Sequence, residues 1–156
     1  MAAQKSGEGR KIIASNRRAR HEYEISDTLE AGLVLQGTEV KSLREGRVTL
    51  GGGFIQVKNG EAWLFGVHIP EYEHGSFFNH EPTRPRKLLL HLHEIARLQA
   101  RVDEKGFTAV PMQLYFKHGR VKLEIGLGKG RKLHDKRQAA REKTDRRELR
   151  DIRNRH

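Results

Sequence analysis

The chain has no cysteine, few hydrophobic residues and no long apolar run. Without cysteine it has neither disulfides nor thiolate metal ligands, which is compatible with a reducing, cytoplasmic environment. No apolar stretch approaches the ~20 residues that a membrane helix needs, so no membrane partner is expected. Residues 1–11 are charged but have no apolar segment behind them, unlike a signal peptide. With 35% hydrophobic residues among 156, the sequence predicts one domain with a small core, plus extensions.

The net charge of +11 comes from the two ends of the chain. Basic residues outnumber acidic ones by six to one in residues 1–20 and by twelve to five in residues 129–156, whereas residues 21–128 have thirteen basic and fourteen acidic side chains. A nearly neutral body with two cationic arms indicates a polyanion partner. Charged ends that merely aid solubility are the alternative. The many arginines favour the polyanion, because the planar guanidinium suits phosphate.

Alternation of apolar and polar residues predicts about six short strands within residues 21–128. The strongest local signal is Asn59-Gly60, which separates two alternating segments. Both residues tolerate positive φ, so they predict a two-residue hairpin of type I′. His118-Gly119 predicts a second hairpin, between the last two strands of the body.

Two short helices are predicted between the strands. Thr38 is the expected N-cap of the first, over residues 39–45. Residues 92–102 predict the second, with an apolar face formed by Leu92, Ile95, Leu98 and Val102. Residues 16–21 are expected to form a basic turn. Residues 70–86 contain three of the four prolines, which predicts a long surface loop with solvent-exposed histidines.

The predicted fold class is mainly β with short helices. Hairpins and glycine-marked corners favour a closed antiparallel barrel of the oligonucleotide-binding type with about six strands, and an SH3-like barrel is the alternative. The expected organisation is a flexible N-terminus over residues 1–11, an RNA-binding barrel over 12–128 and a basic tail over 129–156. The glycines of residues 126–130 are interpreted as a flexible exit from the last strand. The tail is expected to be disordered when free and helical when bound to a polyanion.

The residues that could perform chemistry do not form a recognisable catalytic or metal-binding pattern. His91 and His93 are two apart, and on a helix this spacing points them to different faces. Gly126, Gly128 and Gly130 are not followed by the Gly-Lys-Ser/Thr of a P-loop. The sequence therefore predicts a monomeric binding module that is not an enzyme and needs neither cofactor nor metal.

Small barrels bind RNA through a groove with basic edges. The basic residues 16–20 and 129–132 would border one such groove if the barrel brings them together. Two alternatives stay open at this point. One is a generic ribosome-associated RNA-binding barrel, and the other is an RNA-processing enzyme, which would need a clustered acid/base or metal site.

Four segments of the chain, in this order, resemble the SsrA-binding protein family, also called small protein B. They are Asn16-Arg-Arg-Ala-Arg-His-Glu-Tyr23, Leu29-Glu-Ala-Gly-Leu-Val-Leu-Gln-Gly-Thr-Glu-Val-Lys-Ser-Leu-Arg44, Pro82-Thr-Arg-Pro-Arg-Lys-Leu-Leu-Leu90 and Gly128-Lys-Gly-Arg-Lys-Leu-His-Asp-Lys-Arg137. The resemblance extends from about residue 10 to residue 150. Several long motifs in the right order make a chance similarity very improbable.

The resemblance implies a barrel that binds the tRNA-like part of transfer-messenger RNA. In this family the protein and the RNA enter stalled bacterial ribosomes together and permit trans-translation, in which the nascent chain is tagged and the ribosome is released. The barrel stands in for the missing anticodon arm of a tRNA. The tail occupies the empty messenger channel, so ribosomal RNA is the second expected partner.

The resemblance also implies site residues. The expected RNA-binding residues are Asn16, Arg17, Arg18, Arg20, His21, Tyr23, Glu30, Leu89 and Lys129. The expected ribosome-binding residues of the tail are Arg131, Lys132, His134, Asp135, Lys136 and Arg137. Glu30 would accept hydrogen bonds from base or sugar donors, and His134 would stack on a ribosomal RNA base. Leu89 would support or line the surface, whereas a core leucine is the alternative interpretation.

Overall fold

The computed structural model describes residues 9–75 and 78–131, together with the tail positions 141, 144 and 147. Within residues 9–131 the chain forms one sheet and three helices. The strands are β1 (Arg10–Ser15), β2 (Tyr23–Leu33), β3 (Phe54–Lys58), β4 (Glu61–Phe65), β5 (Arg86–Leu89), β6 (Phe107–Lys117) and β7 (Arg120–Gly130). The helices are α1 (Arg17–Glu22), α2 (Gly37–Arg44) and α3 (Leu92–Val102).

The strand order across the sheet is β1-β6-β7-β2-β5-β4-β3, and all neighbouring pairs are antiparallel. The predicted mainly β fold with short helices is confirmed. The sheet has seven strands: β2 to β7 agree with the six or so predicted for residues 21–128, and β1 precedes that range. Arg10 and Lys11, which were assigned to a flexible N-terminus, already belong to β1. In the described part of the chain no ladder joins the end strands β1 and β3, so the predicted closure of the barrel is not seen.

β1 covers only half of its neighbour β6, which leaves a gap at that edge of the sheet. β1 pairs with residues 113–117 of β6 and ends at Ser15, where the chain turns into α1. Residues 107–110 of β6 therefore have no strand partner on that edge among the described residues, and β3 lies close to β6. A groove of about 600 Å³ follows this gap, with Phe54 and Phe107 in its walls.

The core lies on one face of this curled sheet, beneath α2 and α3. Strand residues of alternating positions point into it, as the sequence pattern predicts. Its fully buried members include Ala31, Leu43, Leu64, Leu88, Leu98, Leu114, Leu123, Ile125 and Leu127. The opposite face of β1, β6, β7 and β2 has polar side chains along part of its length and, beneath α1, a smaller apolar cluster that includes Val110 and Met112.

Both predicted hairpins are confirmed. Asn59 and Gly60 have φ of 52° and 75°, and His118 and Gly119 have φ of 52° and 74°. Positive φ at both turn residues defines the type I′ geometry, which matches the twist of the flanking strands. The turns fix the register of β3 with β4 and of β6 with β7.

The glycines before the tail have a different role from the one predicted. Gly126, Gly128 and Gly130 all lie within β7, so they are not a flexible exit. A Cβ at Gly126 would lie 2.6 Å from Met112 Cγ, and one at Gly128 would lie 2.2 Å from the carbonyl oxygen of Glu24. Gly128 needs glycine because the backbone of β2 approaches too closely for a side chain, whereas at Gly126 the side chain of Met112 occupies the space.

The helices differ from the predictions mainly at their first residues. Residues 16–21 were predicted as a turn, but α1 begins at Arg17. The N-cap of α2 is Gln36 rather than Thr38, whose hydroxyl instead pairs with His80 Nδ1 at 2.8 Å. The bounds of α3 agree with the prediction, and Leu98 is buried. Leu92 is 84% exposed, so its place on the apolar face was wrong.

The predicted surface loop over residues 70–86 has buried polar anchors. His80 is 2% exposed, because its ring bridges Thr38 and the carbonyl oxygen of Ile69, so its predicted exposure was wrong. At the end of this segment Arg86 is fully buried and begins β5. The loop therefore packs against the core through specific hydrogen bonds.

A buried ion cluster ties this loop to α2. Glu39, which is fully buried, accepts hydrogen bonds from Arg86 Nε at 2.6 Å, from Arg84 Nε at 3.1 Å and from the backbone N–H of Gln36 at 2.7 Å. Arg86 also donates to the carbonyl oxygens of Val67 and Pro82. Burial disfavours the charged form of Glu39, but the hydrogen bonds outweigh it and lower its pKa below the ordinary value.

Substitution of Glu39 by glutamine should be strongly destabilising. The change leaves the charge of Arg86 buried without its counter-ion, which typically costs about 3–5 kcal/mol. Urea unfolding of the variant measures the loss. The matched control is Glu61→Gln, because Glu61 is partly exposed and pairs with Lys87 at 3.5 Å. This surface pair should contribute less than about 1 kcal/mol.

The ion pairs of Glu39 should also make the stability of the protein depend on pH. The folded pKa of Glu39 is lowered, so its contribution is complete above the unfolded pKa and is lost as pH falls through the folded pKa. The Glu39→Gln variant should lose less stability than the wild type over this acid range. Equal, small losses of stability in the Glu39→Gln and Glu61→Gln variants would contradict this account.

Candidate RNA interface

The outer face of four neighbouring strands has a polar cluster directed away from the core. Residues two apart on a strand share a face, so alternate positions of paired strands meet there. We call the following seven residues the outer-face cluster: Arg10 of β1, Gln113, Tyr115 and Lys117 of β6, Lys122 and Glu124 of β7, and Glu30 of β2. The cluster combines cations, acceptors and one aromatic ring.

Glu30 lies at the centre of the outer-face cluster. Its Oε2 accepts a short hydrogen bond from the hydroxyl of Tyr115 and lies 3.4 Å from Lys117 Nζ and 3.6 Å from Arg10 Nη2. Burial disfavours ionisation of Glu30, but the hydrogen bonds from Tyr115 and Lys117 outweigh it and lower its pKa. The surface therefore presents an ionised carboxylate, which can only accept hydrogen bonds.

Tyr115 is buried although it belongs to the outer face. The guanidinium carbon of Arg10 lies 3.9 Å from the centre of its ring, and Arg10 Nη2 donates to its hydroxyl at 3.2 Å. Arg10 also reaches the side-chain oxygen of Gln113 at 3.4 Å and Glu124 Oε2 at 3.9 Å. Burial, together with the hydrogen bond to Glu30, raises the pKa of Tyr115, so its hydroxyl remains protonated.

Leu89 lies beside the outer-face cluster and is 53% exposed on β5. It pairs with Gly32 of β2, where an added Cβ would lie 3.3 Å from the Cβ of Leu89 and 3.7 Å from Lys122 Nζ. A depression of about 440 Å³ is bounded by Glu30, Leu89 and Lys122 among others. The structure thus brings Glu30 and Leu89 together and excludes the interpretation of Leu89 as a core leucine.

Asn16 has a buried position in the fold. Its Oδ1 accepts from the backbone N–H of Ala19 at 3.2 Å, which makes it the N-cap of α1, and its Nδ2 donates to the carbonyl oxygen of Pro111 at 2.8 Å. Both ends of the amide are therefore engaged within the protein. Asn16 holds α1 against β6.

The other predicted residues of this segment surround α1. Arg17, Arg20 and His21 are exposed, whereas Arg18 Nε pairs with Glu22 at 2.7 Å. Ala19 on the opposite side of the short helix is buried against Val110 and Met112, and partly buried Tyr23 packs on the same cluster. Because the small side chain of Ala19 faces the sheet, the cationic side chains of the helix face the solvent.

The start of the basic tail lies next to α1. Gly130 pairs with Tyr23, and the backbone N–H of Arg131 donates to the carbonyl oxygen of Glu22 at 2.8 Å. Lys129 Nζ is 5.2 Å from the centre of the Phe107 ring. The basic residues of α1 and the start of the basic tail are therefore adjacent, as a shared groove with two basic edges requires.

The predicted site residues fall into two groups. Tyr23 and Glu30 belong to the same strand and are separated by seven positions, which corresponds to roughly 23 Å. One group surrounds α1 and the start of the tail, and the other includes Glu30 and Leu89. The tail residues Lys132, His134, Asp135, Lys136 and Arg137 lie outside the described residues, so their role stays a prediction.

Sequence reasoning missed six of the seven members of the outer-face cluster, since it singled out only Glu30. Five of the six had a usable signal, because each alternates with apolar residues of the last hairpin and so faces away from the core: Gln113, Tyr115, Lys117, Lys122 and Glu124. Arg10 had no comparable signal. Its place depends on the pairing of β1 with β6, more than one hundred positions along the chain.

The histidines at the start of α3 also differ from the prediction. His91 is the N-cap of α3 rather than a helical residue, and its ring stacks on that of His93 with centroids 5.6 Å apart. They do not point to opposite faces. Across the described residues there is no group of three or more metal-ligating side chains arranged to hold an ion. No helix among them is long and apolar enough to cross a membrane.

Comparison with known proteins gives consistent matches. The SmpB protein family matches residues 13–155. The SsrA-binding protein of Thermobifida fusca is 59% identical over 146 residues, which cover 94% of this chain and 91% of that protein. The SsrA-binding protein of Trichodesmium erythraeum is 53% identical over 148 residues, with coverage of 94% and 95%.

A solved structure agrees with these matches. A chain from the work "tmRNA-SmpB: a journey to the center of the bacterial ribosome" is 48% identical, with a TM-score of 0.68 over 82% of this chain and 94% of that chain. The likeness therefore holds in both sequence and fold. Since the family match and the close relatives extend over most of its length, the chain belongs to the SmpB protein family.

Proposed function

We propose that this protein binds the tRNA-like domain of transfer-messenger RNA and accompanies it to stalled ribosomes in the cytoplasm, where it acts in trans-translation. The observation that carries the proposal is membership of a family whose close relatives are SsrA-binding proteins. The exposed surface around Glu30 and Leu89 supports it, because it offers the contacts that RNA recognition requires. The protein acts as a binding partner and not as an enzyme.

The outer-face cluster and Leu89 form the proposed RNA surface. Lys117, Lys122 and Arg120 border a depression of about 610 Å³ beside Glu30 and supply cations for phosphates. Glu30 accepts hydrogen bonds from base or ribose donors, which phosphate contacts cannot provide. Leu89 packs against the apolar face of a base or sugar. This surface can select among RNAs because it combines one hydrogen-bond acceptor, several cations and one apolar contact in a fixed arrangement.

The cations around α1 and the tail form a second proposed contact region. Arg17, Arg20 and His21 reach RNA directly, whereas Asn16 acts through the position of α1. The curled sheet is proposed to be a partly open barrel of the oligonucleotide-binding type, since that fold tolerates an incomplete ladder. From Arg131 onward the tail, including Lys132 and the residues His134 to Arg137, is proposed to bind ribosomal RNA in the empty messenger channel.

Replacement of Leu89 by alanine should weaken RNA binding without unfolding the protein. The side chain is 53% exposed, so its removal leaves no cavity. We expect a loss in affinity for the tRNA-like domain of about tenfold, which corresponds to the apolar contact of one leucine. A binding titration at fixed salt, paired with thermal unfolding, measures both effects.

The neighbouring Leu88 provides the matched control. It is 2% exposed, and Leu88→Ala should cost about 2–5 kcal/mol of folding stability through the cavity that it leaves. At a temperature at which this variant is still folded, its RNA affinity should stay near that of the wild type. If Leu89→Ala binds as well as the wild type, Leu89 is not part of the interface.

Removal of the tail should separate RNA binding from action on the ribosome. The truncation should follow Arg131 rather than Gly128, because Lys129 and Gly130 complete β7 and Arg131 is bonded to Glu22. The truncated protein should keep much of its affinity for the tRNA-like domain, since the outer-face cluster is intact. Tagging of nascent chains on stalled ribosomes should be abolished. Tagging at the wild-type level by this truncated protein would refute the proposed role of the tail.

A further inference from the structure

We infer that Tyr115 is a positioning residue for RNA recognition: its hydroxyl holds one carboxylate oxygen of Glu30 so that the other oxygen is presented to the RNA in a fixed orientation. The inference rests on the proposed function of the Glu30 surface. It assigns a role to a residue that does not itself touch solvent, since Tyr115 is 0% exposed.

The direction of the hydrogen bonds through Tyr115 is fixed by the chemistry of its two partners. Arg10 Nη2 lies 3.2 Å from the hydroxyl oxygen and can only donate. The hydroxyl proton is therefore left for the second partner, the ionised Oε2 of Glu30, which can only accept. Arg10 therefore donates to the Tyr115 hydroxyl, which in turn donates to Glu30. No other direction of these hydrogen bonds satisfies all three groups.

The two oxygens of Glu30 are not equivalent in this arrangement. Oε2 has the Tyr115 hydroxyl, with Arg10 at 3.6 Å and Lys117 at 3.4 Å. Among the described residues, Oε1 has only Lys117 Nζ, at 3.5 Å. A carboxylate offers about four acceptor positions. Oε1 thus retains acceptor capacity, and it is the oxygen that the RNA donor would reach.

The residues around Tyr115 keep its hydroxyl from donating a hydrogen bond to any group other than Glu30. Arg10 covers the face of its ring at 3.9 Å, and the strand partner Lys122 lies opposite it on β7. Glu124 would repel Glu30 across the β2–β7 ladder, but Arg10 lies between them, 3.9 Å from Glu124 Oε2. A residue from the very start of the described chain therefore completes the support for Glu30.

Such support matters because an acceptor held in place loses little conformational freedom on binding. A glutamate on an exposed strand samples several rotamers, and each one other than the bound rotamer reduces the apparent affinity. The hydroxyl of Tyr115 selects one rotamer before RNA arrives. Its removal should therefore weaken binding although no contact with RNA is deleted.

The test is Tyr115→Phe, which keeps the buried ring and removes only the hydroxyl. We expect about tenfold weaker binding of the transfer-messenger RNA tRNA-like domain by full-length protein, typical of a lost hydrogen bond to a charged group. The matched control is Tyr72→Phe, since the ring of Tyr72 also lies near a cation, Lys41 at 5.5 Å, but outside the outer-face cluster. This control should bind as the wild type does.

Two further measurements separate positioning from a general structural effect. In a double-mutant cycle, Tyr115→Phe added to Glu30→Ala should weaken binding no further than Glu30→Ala alone, because the hydroxyl acts only through the side chain of Glu30, which alanine removes. By carboxyl NMR titration, the pKa of Glu30 should rise in Tyr115→Phe, since a donor to the charged form is lost. The charged groups that face Glu30 and remain are Arg10, Lys117, Lys122 and Glu124.

The outcomes distinguish this inference from the proposed function. If Glu30→Ala binds RNA as well as the wild type, the proposed interface is overturned and the inference falls with it. If Glu30→Ala binds weakly but Tyr115→Phe binds normally, only the inference is overturned. Only the inference is likewise overturned if the losses of affinity caused by the two substitutions multiply fully in the double variant. It is also overturned if the pKa of Glu30 in Tyr115→Phe equals that in the wild type.

Discussion

The fixed register of β2, β7 and β6 is the constraint on which the proposed RNA surface depends. In this ladder Leu29 and Ala31 point into the core, so Glu30 must point outward, opposite Glu124. A slip by one residue would exchange the two faces and bury the carboxylate. The register is secured by the tight turn at His118-Gly119 and by Gly128, which allows the backbone of β2 to approach β7 closely. The surface chemistry is thus a direct consequence of strand pairing.

Features that depend on neighbouring residues could be predicted from the sequence. The turn at Asn59-Gly60 needs only two residues with positive φ, and the helix at 92–102 needs only its apolar period. Features that depend on distant residues could not be predicted. The burial of His80 depends on Thr38, and the position of Arg10 depends on Tyr115. The motif resemblance pointed to Glu30 and Leu89, but only the pairing of strands reveals which side chains support them.

The structure also changes how the glycines and the ends of the body are understood. Two of the glycines that suggest flexibility in the sequence, Gly126 and Gly128, are sites of close packing in β7. The chain before residue 12 contributes Arg10 to the outer-face cluster, and the body continues to Arg131, which is bonded to the end of α1. The cationic arms are therefore attached to the sheet beside the two candidate contact regions. We propose that their charge supplies affinity for RNA, whereas the outer face supplies selectivity.

The central claim is that this protein selects transfer-messenger RNA rather than binding any folded RNA through its charge. The most direct measurement is a competition titration at fixed, near-physiological salt, because cationic arms bind all RNAs more tightly when salt is low. Full-length protein would bind the labelled tRNA-like domain in the presence of excess ordinary tRNA. We predict that most of the labelled RNA stays bound at a large excess of competitor. Displacement by an equal amount of ordinary tRNA would contradict the claim and would leave a generic RNA-binding protein of the ribosome.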